Sequence, residues 1–72
     1  QVVNVAALAE LFPQGGEITV ADLVAKGAVR NGYPVKVLGD GEVSAAYTIK
    51  GVKASASAKS KIEAAGGSIS ED

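Results

Sequence analysis

From Gln1 to Gly27 the chain repeats one short pattern twice: strand, polar cap, apolar helical stripe, glycine. "QVV" is a β-branched run suited to a strand, and Asn4 then caps a helix by accepting from an unpaired first-turn N–H. Val5, Leu8, Ala9 and Phe12 fall at i, i+3, i+4 and i+7, one apolar stripe that Pro13 and Gly15-Gly16 bring to an end. "EIT" offers a second strand. Thr19 is the second cap, and Asp22 sits in the first turn, where the helix dipole favours an anion. Val20, Leu23, Val24 and Gly27 repeat the spacing, and Lys26-Gly27 marks the helix end.

The centre of the chain reads as β structure. Pro34 suits a strand start, Val35 and Val37 alternate with Lys36, and Leu38 closes the run. Val43, Ala45, Tyr47 and Ile49 share one parity and so one face of a further strand. Val52 breaks that parity after Gly51, as a bulge or bend does. Ser55 or Ser57 caps a third helix with Ala58, Ile62 and Ala65 as its stripe, and Lys59 and Glu63 stand at i, i+4. Gly66-Gly67 stops it, "SIS" forms a last short strand, and the acidic Glu71-Asp72 tail is expected to fray. The predicted order is β-α-β-α-β-β-α-β. That makes residues 1–72 one small α/β domain, with three short helices packed on a small sheet. No longer repeat is convincing, but the recurring unit suggests a layered geometry.

The core available to such a domain is thin. The 72 residues are 47% hydrophobic, yet include one Phe, two Tyr and no Trp, Met or Cys. A domain of roughly 60 residues buries only about 60% of its unfolded surface, and here no disulfide or thiolate metal site supplements it. The domain is expected to be part of something larger or to be supported by a partner. No apolar run approaches the ~20 residues of a membrane span, and no secretory signal is present. Starting at Gln1 rather than Met, the sequence reads as processed or as a fragment. The lack of Cys fits a cytoplasmic protein.

"VLGDGEV" (Val37–Val43) invites a ligand-binding reading. A phosphate loop needs glycines that open directly into a helix. Here strand-like sequence follows, and Asp40 and Glu42 would repel phosphate. Two acids are too few for a calcium loop. Asp-Gly between apolar runs instead predicts a hairpin turn.

Catalytic signatures are absent. There is no His or Cys, no G-x-S-x-G and no H-E-x-x-H. No enzyme activity, cofactor or metal is expected, because a site needs a nucleophile, a base and an orienting group. Net charge is −1, so the chain as a whole is no polycation. Its distribution is uneven, however. From Val43 to Ile62 there is no acid, while Lys50, Lys53, Lys59 and Lys61 all fall there. Lysines beside a helix N-terminus suit phosphate, and a solvated helix face explains them equally well. Arg30-Asn31-Gly32-Tyr33 either binds RNA or only connects two elements. Tyr47 could stack on a base, but its parity with Val43 and Ile49 points to the core.

The stretch from Val3 to Val43, and "SASAKSKIEAAGGSI" after it, resemble the C-terminal half of bacterial large-subunit ribosomal protein fifteen. "VKVLGDGE", "LVAKGAV" and "KIEAAGG" match in order and spacing over nearly the whole chain. The resemblance implies a compact domain of irregular strand–strand–helix turns, and a non-enzymatic structural protein of the cytoplasmic ribosome. Its partners would be large-subunit ribosomal RNA and adjacent ribosomal proteins. It also implies a basic Gly-, Lys- and Arg-rich arm before this domain, which the sequence lacks. "VKASASAK" departs from a His-Lys-Phe-Ser pattern, so no aromatic contact is carried over there. The expected RNA contacts are Lys50, Lys53, Lys59 and Lys61, followed by Lys36 and Arg30. The alternative is a protein–protein module, without direct RNA contact, whose acids Glu10, Glu17 and Asp22 meet a basic partner.

Overall fold

The computed structural model describes residues 1–71; the tail expectation for Asp72 lies outside the described residues. The elements are β1 (Val2–Asn4), α1 (Val5–Leu11), β2 (Gly16–Ile18), α2 (Val20–Ala25), β3 (Lys36–Leu38) and β4 (Tyr47–Ile49). β5 (Lys53–Ala54), α3 (Ala56–Ala64) and β6 (Ser68–Ile69) complete the chain. Instead of one small sheet there are two, each three-stranded and parallel throughout. One is ordered β1-β3-β5 and the other β2-β4-β6. Successive strands alternate between the sheets, so each turn of chain contributes one strand to both. The two strand–cap–helix units read in the sequence together make the first such turn, one unit for each sheet. At Gly51 the chain bends from β4 in the second sheet to β5 in the first.

Inward-facing rows of the two sheets meet in a single core. Val3, Val37 and Ala54 form one row, and Ile18, Ile49 and Ile69 another. Val5 and Leu8 of α1, Leu23 of α2, and Ala58 and Ile62 of α3 cover them, as their helical spacing predicts. Tyr47 is the largest fully buried side chain. Its hydroxyl oxygen lies 2.7 Å from the Phe12 carbonyl, to which it donates, and 3.2 Å from the Leu8 carbonyl, at the C-terminal end of α1. A buried phenol needs such a partner. Burial raises its pKa above the ordinary 10.0.

The helix ends follow their sequence signals. Thr19 and Asp22 form a reciprocal capping box, with the Thr19 N–H donating to Asp22 Oδ2 at 2.9 Å. Ser55 caps α3 by accepting from the Ala58 N–H at 3.2 Å. Asn4 occupies the cap position of α1, but its side chain makes no capping bond. α2 and α3 both end in Schellman motifs, the Ala28 N–H donating to the Leu23 carbonyl and the Gly67 N–H to the Ile62 carbonyl.

The hairpin expectation at Asp40-Gly41 is overturned. β3 and β4 belong to different sheets, and both pair only in parallel. The strand predicted from Val43 shrinks to Tyr47–Ile49. Polar groups of the loop bond to the helices instead. The Asp40 carbonyl accepts from Ala6 N–H at 3.1 Å, filling a donor left free in the first turn of α1. Gly39 lies against Ser57 and the Ala58 N–H of α3, and Gly41 against Ala6. A β-carbon at either glycine would collide with a helix, so the loop seals two helix N-termini.

Candidate nucleic-acid interface

The six cations expected to bind RNA do not form one surface. The cluster that looked densest in sequence, Lys50 to Lys61, is dispersed by the fold. Lys50 projects from the end of β4 and forms the one ion pair among the described residues, with Glu17 at 3.6 Å. Both side chains are more than half exposed, so that pair adds little stability. Lys59, on α3, borders an open groove of about 280 Å³ between the last strands, with Ala54, Ile69 and Glu71 on its other sides.

Lys61 points inward to the loop. Its ammonium donates to the carbonyls of Gly39 and Gly41, each at 2.6 Å. One cation thus holds both glycine carbonyls of the "GDG" segment, and it is only partly exposed. A charged donor makes these bonds stronger than neutral ones. The N-terminal turn of α3 is likewise occupied, by the Ser55 cap and by Gly39.

Lys53 and Lys36, by contrast, are brought together. In the first sheet Val2, Lys36 and Lys53 are register partners on successive strands, and all three are exposed on the outer face. Neighbouring strands lie about 4.8 Å apart, so two like charges stand side by side, which is unfavourable for the sheet alone. Neither lysine has an ion-pair partner among the described residues. The equivalent row of the second sheet is Glu17, Thr48 and Ser68, so the two outer faces differ in charge.

Arg30 lies at the edge of this basic row. The Gln1 side chain fixes its backbone, with Oε1 accepting from Arg30 N–H at 2.6 Å and Nε2 donating to the Arg30 carbonyl at 2.9 Å. The Gln1 carbonyl accepts from Lys36 N–H at 2.8 Å. The Arg30–Tyr33 loop is thereby tied to the edge of the first sheet, beside Val2 and Lys36. Sequence reasoning ranked Lys36 and Arg30 second because they lie outside the acid-free segment. The parallel pairing of Lys36 with Lys53, far apart along the chain, has no local signature.

Among the described residues no three acidic or other metal-ligating side chains converge on a metal-sized site, and no helix is long and apolar enough to cross a membrane.

Comparison with known proteins supplies the family. The family model that describes the ribosomal proteins "50S-L15" and "50S-L18e", together with a 60S counterpart, matches residues 2–70. A "Large ribosomal subunit protein uL15" of Bifidobacterium adolescentis is 96% identical over all of this chain, which covers 49% of that relative. The protein of the same name from Bifidobacterium longum is 76% identical over all of the chain and 48% of the relative. That of Frankia casuarinae is 63% identical over 99% of the chain and 45% of the relative. The chain spans about half the length of the curated relatives it matches. By the extent of the family match, and by identity across its whole length, the chain belongs to this family of ribosomal proteins.

Proposed function

We propose that this chain is a structural, non-catalytic part of the large ribosomal subunit that docks on ribosomal RNA through the outer face of its first sheet. The observation that carries this reading is the unpaired Lys36–Lys53 neighbourhood on a chain of ribosomal family. Like charges are tolerated side by side where a polyanion neutralises them. Arg30 extends the surface, Lys59 borders the groove beside β5, and Lys50, paired with Glu17 of the second sheet, lies outside it. Lys61 acts through the loop it holds rather than on phosphate. The setting is the cytoplasmic ribosome in translation, with adjacent ribosomal proteins as further neighbours. The acidic-face alternative has less behind it, because Asp22 is engaged in the α2 cap and Glu17 faces Lys50.

The test is the salt dependence of binding to large-subunit ribosomal RNA. Each phosphate contact contributes about −0.7 to −0.9 to the slope of log affinity against log salt. Lys36→Ala and Lys53→Ala should each flatten the slope by about that amount. An unchanged slope in both variants removes the first sheet from the interface.

A further inference from the structure

The two tyrosines are used in opposite ways. Tyr47 is wholly buried, whereas Tyr33 is 60% exposed, and the only other exposed large hydrophobic residue among the described residues is Val2 at 62%. Tyr33 belongs to no helical or strand stripe, and its phenol makes no hydrogen bond among the described residues. The loop that carries it is nonetheless ordered from outside. The Gln1 amide donates to the Arg30 carbonyl at 2.9 Å and to the Tyr33 carbonyl at 3.4 Å, and accepts from Arg30 N–H. Val2, next to Gln1, begins the row that continues to Lys36 and Lys53. An exposed aromatic residue on an anchored loop, which also carries Arg30, is therefore tied to the edge of the sheet whose outer row continues to Lys36 and Lys53.

We propose that Tyr33 stacks on an unpaired RNA base while Arg30, Lys36 and Lys53 hold the phosphates beside it. This rests on the RNA-binding function proposed above and adds what that surface selects: a single-stranded or bulged nucleotide rather than a continuous duplex. Duplex bases are already stacked and offer side chains little but backbone, whereas an unpaired base presents a free π-face. Anchoring the loop in advance spares the entropy of ordering it on binding. A protein partner fits less well, since lysine is depleted at the centres of protein interfaces, and the sheet face to which this loop is tied carries two lysines.

The experiment measures binding of the full-length protein to large-subunit ribosomal RNA across a salt series. Stacking is worth roughly 5- to 150-fold in affinity per base. Tyr33→Ala should lose that much with the salt slope unchanged, since no phosphate contact is removed. Tyr33→Phe and Tyr33→Trp should stay within about twofold of the parent. Thermal melts check folding, which an exposed side chain should not alter. If Tyr33→Ala binds RNA like the parent while Lys36→Ala flattens the slope, the stacking proposal fails and the RNA interface stands. If Phe fails as badly as Ala, the phenol and not the ring makes the contact, and stacking is overturned. Loss of a ribosomal-protein contact in Tyr33→Ala, with RNA affinity intact, overturns it in favour of a protein neighbour.

Discussion

The hydroxyl of Tyr47 lies 2.7 Å from the carbonyl oxygen of Phe12 and so closes the end of α1 from the opposite sheet. Tyr47→Phe keeps the ring in the core and leaves that carbonyl with the Gly15 N–H, at 3.1 Å, as its donor. Losing one of two buried donors in this way costs about 0.5–1.5 kcal/mol. For a domain of this size that lowers the melting temperature by about 2–12 °C. A melting temperature equal to the parent's would mean that water takes over the bond.

Alkaline pH tests the same residue by another route. Tyr47 has a pKa raised above 10.0 by burial, so the unfolded chain gives up this proton first. Its contribution is complete below pH 10 and is lost as pH rises from there through the folded pKa. Denaturant midpoints should fall above pH 10. In Tyr47→Phe the part of the fall due to this phenol should vanish, leaving a shallower decline.

Lys61 bridges Gly39 and Gly41, and the Asp40 carbonyl between them accepts from Ala6 N–H. Lys61→Met keeps the aliphatic stem and removes the charge. The expected loss is about 1–2 kcal/mol, reduced from a fully buried value because the site is partly wet. Amide exchange at Ala6 should speed up more than exchange at Ile18 in the core. Uniform acceleration of both would show a global effect and no local clamp.

Two glycines at the left-handed region separate backbone strain from close packing. Gly27 has φ +75° and nothing within 4 Å of an added β-carbon, whereas Gly41 has φ +101° and lies against Ala6. Gly27→Ala should therefore cost only the strain, about 1–2 kcal/mol. Gly41→Ala must also push α1 away and should cost clearly more. Equal losses in urea titrations would refute the seal between loop and helix.

Relieving the Lys36–Lys53 repulsion should separate folding from binding. Lys36→Thr places a β-branched residue on the strand and removes one of the paired charges. A gain of up to about 1 kcal/mol in stability is expected, together with weaker RNA binding. A variant less stable than the parent would indicate that the lysine stem covers apolar surface.

Local chemistry was legible in the sequence wherever a few consecutive residues decide the outcome. Thr19 with Asp22, Ser55, and the glycines ending α2 and α3 all sit where their capping signals placed them. The stripes Val5–Leu8 and Ala58–Ile62 face the core as their spacing required. Partner choice was not legible. Asp40-Gly41 between apolar runs looks the same whether the second run folds back on the first or joins another sheet. Only the arrangement of Tyr47 and Ile49 beside Gly16 and Ile18 decides between them. The lysines illustrate the same limit. Nearness along the chain grouped Lys59 and Lys61 with Lys53, while the parallel register grouped Lys53 with Lys36. Tyr33 carried a faint signal, an aromatic in a polar turn outside every stripe.

Both sheets are assembled in chain order, β1 then β3 then β5, and β2 then β4 then β6. No strand has to wait for a partner more than one turn later. A chain made from its N-terminus can therefore add its turns in the order they emerge, each settling on the one before it. Parallel pairing ordinarily slows folding by demanding distant contacts. Here the nearest available turn is always the correct one, so the direction of synthesis and the direction of assembly coincide.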